Sequence, residues 1–140
     1  MTSAIRSFRA AAALAVAIAA VACGAGRQDG GLKEIQRVKA ADLDIVFLSD
    51  DGALNRGNEV FVIEFRRADG TLHDAGTVTT GATMSMPGMT MPASMQVAPA
   101  DVPGRYRATG EFGMAGGWQM RMEWNGPAGH GSASFEGTVQ

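Results

Sequence analysis

The chain of 140 residues has one cysteine, Cys23, and two histidines, His73 and His130. A lone cysteine excludes an intramolecular disulfide. The histidines stand far apart in sequence, so a shared imidazole site would have to be built by folding. Taken singly, each reads as an exposed loop residue. Long apolar runs are also missing. The longest, Ala10 to Val21, has about a dozen residues, short of the about 20 that a membrane-spanning helix needs. No basic run marks a nucleic-acid footprint, so nucleic acid is not an expected partner. No glycine-rich stretch follows a strand and opens a helix, which excludes the common phosphate cradles. Serines, histidines and aspartates form no recognised catalytic motif. Asp42-x-Asp44 and Asp50-Asp51-Gly52 do not have the spacing of a calcium loop. The expectation is a binding protein, not an enzyme, with no catalytic residue.

No acidic residue precedes Asp29. Arg6 and Arg9 lead into the apolar run, and Ala20-Val21-Ala22 supplies small residues for cleavage. Together they read as an export signal over residues 1–22. Ala20-Val21-Ala22-Cys23 resembles a bacterial lipobox, with Ala20 where Leu is more usual. The resemblance implies that Cys23 carries lipid and anchors the chain to a membrane, which gives the unpaired cysteine a use. Plain cleavage at the same bond, leaving a free thiol, is the alternative. Loss of residues 1–22 leaves ten basic residues against fourteen acidic, a net charge of −4. Residues 24–31 are small and polar, and 32–41 read as linker or a short turn of helix. Residues 23–41 are thus expected to be a tether, with the folded domain over 42–140.

From Asp42 onward the pattern is β. Leu43, Ile45 and Phe47 alternate with Asp44, Val46 and Leu48. Phe61, Ile63 and Phe65 mark the core side of a second strand rich in β-branched and aromatic residues. Weaker strands are expected over 75–83 and 94–97. Residues 105–112 alternate clearly. Trp118, Met120, Met122 and Trp124 take one face of the next strand, with Gln119, Arg121 and Glu123 on the other. Ala133 to Val139 closes the series. About seven short antiparallel strands, punctuated by many of the 19 glycines, argue an all-β sandwich.

Met84-Ser85-Met86-Pro87-Gly88-Met89-Thr90-Met91, with Met95 beyond, holds five of the nine methionines. Pro87-Gly88 suits the centre of a type II turn, which brings Met86 and Met89 within about 7 Å at Cα. With extended flanks, Met84, Met86, Met89 and Met91 share one side, and Ser85 and Thr90 the other. Because type II turns splay their strands, a loose tongue is expected. Thioethers are soft ligands that select Cu(I) over hard cations and need no deprotonation. The same residues equally make adaptable contact surfaces or fill gaps in a core. Met120 and Met122, flanked by tryptophans on an apolar face, read as core. Met114, in a glycine-rich turn, is free to lie near the tongue.

Gly104-Arg105-Tyr106, followed by Phe112-Gly113-Met114-Ala115-Gly116-Gly117-Trp118, resembles the YtkA-like domain family, related to the FixH group. The pattern is Gly-x-Tyr, then Phe-x-Met-x-Gly-x-Trp, with one extra glycine at 116–117. The resemblance spans roughly residues 40–140. It implies an immunoglobulin-like β-sandwich on the outer, periplasmic side of a bacterial membrane. It also implies partners among copper-handling, metal-efflux or oxidase-assembly proteins. Cu(I) held by Met84, Met86, Met89 and Met91, with Met95 and Met114 as further candidates, is the functional expectation. A non-catalytic assembly module that uses the methionines as a contact is the alternative.

Overall fold

The computed structural model describes residues 30–127 and 129–140. The export signal and Cys23 lie outside the described residues. Eight antiparallel strands follow in order: β1 (Lys33–Ala40), β2 (Leu43–Ser49), β3 (Gly57–Arg67), β4 (Thr77–Met86), β5 (Met89–Pro99), β6 (Arg105–Phe112), β7 (Gly116–Gly126) and β8 (Gly129–Val139). They form one sheet, ordered β1-β2-β3-β6-β5-β4-β7-β8. The two outermost strands come near each other, and Gln36 Nε2 donates to the Glu136 carbonyl across the seam at 3.0 Å. The result is a nearly closed, barrel-like sheet.

The inner face is set by alternation. Ile45, Phe61, Ile63, Phe65, Ala108, Phe112, Trp118, Met120 and Met122 are all buried, as the period of two requires. Fully burying a large apolar side chain contributes roughly 1.5–3 kcal/mol, so this layer is the main source of stability. Edge-to-face contacts order it: Phe65 against Tyr106 and Trp124, and Phe112 against Trp118. Met120 and Met122 are core, as their alternation predicts.

Three expectations change. There are eight strands where about seven were expected. Residues 33–40, read as linker or helix, are β1, paired with β2 from Ala40↔Leu43 to Lys33↔Ser49. Ile35 and Val38 pack against the core, so the folded part begins before Asp42. Finally, the methionine tongue is a tight ladder, not a splayed loop. Met86↔Met89, Ser85↔Thr90 and Met84↔Met91 all pair. β4 is also held along Thr77–Thr83 by β7, and that pairing fixes the hairpin despite the twist mismatch at its turn.

β5 divides its pairing. Met89 to Ala93 face β4, whereas Ser94 to Pro99 pair with β6. Pro92 falls in the half with a single partner, the edge setting to which strand prolines are confined.

Candidate functional site

The β4–β5 turn and the β6–β7 turn lie at the same end of the barrel. Gly88 has φ 81°, the value that the second central residue of a type II turn demands. The register places Met84 opposite Met91 and Met86 opposite Met89. Directly opposed residues have Cβ atoms about 4.5–5.5 Å apart, so four thioethers share one face. Ser85 and Thr90 are exposed on the other. Exposure rises toward the tip. Met84 is 7 % exposed and part of the core, while Met86 and Met91 are half-buried against it. Met89 is 58 % exposed.

The other two sequence candidates differ in position. Met95 lies in the half of β5 paired with β6, opposite Gly110 and half-buried. It is two pairs below Met91 on the same strand face, away from the tip. Met114 is exposed on the β6–β7 turn. That turn touches the hairpin: a Cβ built on Gly113 would stand 3.3 Å from Met91 Sδ, and one on Gly116 would stand 3.1 Å from the Met84 methyl. The Trp118 indole N–H donates to the Met114 carbonyl at 3.0 Å. The turn was legible as glycine-rich, but its contact with Met84 and Met91 was not, because it joins strands that are distant in sequence.

The opposite end of the barrel brings the two histidines together. His73, before β4, and His130, at the start of β8, line one cavity of about 240 Å³ with Asp42, Asp74, Arg67 and Trp124. The loop reading of His130 is corrected, since it pairs with Asn125 inside the β7–β8 ladder. His73 Nδ1 is buried without a hydrogen-bond partner among the described residues. Even so, among those residues no three His, Cys, Asp or Glu side chains stand close enough to hold a metal ion. The acidic candidates are structural as well. The Asp51 carboxylate accepts from the Ala53 N–H, the Asn55 amide and the Ser49 hydroxyl, which close the β2–β3 loop. These bonds, led by Asn55, hold its pKa below the ordinary carboxylate value.

A buried charge cluster lies on the outer side of β3. Glu64 is fully buried and accepts from Arg66 and from Arg105 Nε, the latter at 2.8 Å. The sequence does not announce it, because Glu64 and Arg66 alternate with Phe61, Ile63 and Phe65 and so stand on the opposite face of the strand.

Fold and site together define a small all-β protein whose barrel ends in a methionine-lined hairpin. The chain belongs to the YtkA-like family, whose model matches residues 37–123. The match takes in the methionine hairpin and the Trp118 turn, and ends inside β7, short of β8. No curated protein and no solved structure matches the chain.

Proposed function

We propose that this is an exported, lipid-anchored protein that binds Cu(I) through its methionine hairpin, for buffering or hand-off without turnover. The observation that carries the reading is the ladder pairing of Met84 with Met91 and Met86 with Met89. It gathers four neutral sulfur donors on one face, graded from the core to an exposed tip. Soft donors suit Cu(I) or Ag(I), and the exposed Met89 gives an incoming ion or partner its first contact. No ligand has to lose a proton, so affinity should stay flat between pH 5 and 8.

Titration with Ag(I), or with Cu(I) under reducing conditions, tests this. The wild type should bind, and the variant with Met84, Met86, Met89 and Met91 all changed to Leu should not. Leu keeps most of the apolar surface and removes the sulfur. Equal binding by the two proteins would end the hairpin assignment. The second reading, an assembly module for a membrane complex, draws on the exposure of Met89 and Met114, since methionines make adaptable contact surfaces. Co-purification of a membrane partner without metal binding would favour it. An anchor at Cys23 requires an intact mass above that of the simple cleaved chain. The immunoglobulin-like reading of the fold draws on the change of partner along β5, which divides the ladder into a half ordered β1-β2-β3-β6 and a half ordered β4-β7-β8.

A further inference from the structure

We propose that the β6–β7 turn is the second wall of the methionine site, with Gly113 keeping room at the Met91 sulfur and Trp118 positioning the turn. The inference rests on the metal-binding reading and assigns roles to residues that carry no ligand sulfur.

Gly113 is not among the residues with positive φ. Its backbone conformation therefore does not demand glycine; the constraint there is the Met91 sulfur, which would have to give way to a larger side chain. A single methyl group there would press on Met91 Sδ at 3.3 Å. At Gly116 the conformation is itself restrictive, with φ 131°, and a methyl would meet the Met84 side chain as well. The turn therefore stands against one methionine from each strand of the hairpin. It is held from below: Trp118 is fully buried, its N–H binds the Met114 carbonyl, and its ring meets Phe112 edge-on at 5.4 Å. Met114, 41 % exposed, rides on this fixed turn and brings a fifth thioether to the same pole. Crowding the Met91 sulfur or freeing the turn should weaken binding of a soft cation while every hairpin methionine remains in place.

The test compares Ag(I) affinity in the wild type, Gly113→Ala, Trp118→Phe and the fourfold Leu variant, each with its thermal midpoint. Gly113→Ala should lose about tenfold in affinity with little change in midpoint, because a flexible methionine can yield without unfolding the sheet. Trp118→Phe keeps an aromatic ring and removes the N–H. It should weaken Ag(I) binding and speed amide exchange at residues 114–116. If both variants bind like the wild type while the fourfold variant fails, the hairpin binds metal and the second wall is wrong. If the wild type does not bind Ag(I), both readings fall. A loss of affinity that only tracks a fall in midpoint would reduce Trp118 and Gly113 to general structural roles and overturn the proposal.

Discussion

Tyr106 shows how a single residue links the strands to the loops. It is buried on β6, and its hydroxyl donates to the Gly76 carbonyl at 2.8 Å, with Asp74 close by. Burial first, and then the Asp74 charge, push the phenol above its ordinary value of 10.0. The folded state therefore holds this proton more tightly than the unfolded chain does. The stability it contributes is complete below pH 10 and is lost as pH rises through the folded value. Urea unfolding from pH 9 upward should show the decline, and Tyr106→Phe should flatten it. The same variant should cost about 1 kcal/mol at pH 7, since the Gly76 carbonyl loses its donor. An unchanged pH profile would show that Tyr106 does not set this limit. The alternation of residues 105–112 made the burial of Tyr106 readable. Its partners were not, because Asp74 and Gly76 reach it only through the β3–β4 connection.

Two hairpins, β4–β5 in the interior of the sheet and β1–β2 at its edge, show why one element was legible and the other was not. The methionine hairpin carries its own turn chemistry in Pro87-Gly88, from which the approach of Met86 to Met89 and the shared side of Met84 and Met91 followed, though not the ladder that joins them. β1 offers no such sign. Lys33, Glu34, Gln36, Arg37 and Lys39 are ordinary helix formers, and the turn into β2 has no glycine or asparagine. Instead Ala41 takes φ 55°, a left-handed conformation that costs an L-residue with a Cβ roughly 1–2 kcal/mol. Pairing with β2 and the packing of Ile35 and Val38 override both signals. Replacing Ala41 with Gly should therefore raise stability by about 0.5–1 kcal/mol, the strain relieved less the added freedom of glycine in the unfolded chain. Chemical denaturation measures it. A destabilised Ala41→Gly would mean that the turn is not strained as described.

As a whole molecule, the protein is a sheet rolled until its first and last strands nearly meet. β3 and β6 have ladder partners on both sides, whereas β1 and β8 each have one. Native-state hydrogen exchange should rank accordingly. Amides of β3 and β6 should be the slowest, and those on the seam edges of β1 and β8 the fastest among the strands. Equal protection on both sides of the seam would mean that the barrel is closed in solution. The overall β class was readable from period-two alternation, but closure was not, because nothing in residues 33–40 announces that they lie beside β8. The divided strand β5 has a mechanical consequence. Its methionine end belongs to the β4 side and its root to β6, so a pull on the tip is shared between both halves of the sheet. Such a mounting is stiff. On the metal-binding reading proposed above, an ion arriving at Met89 would be received by side chains turning about their own bonds, while the strands that carry them stay still.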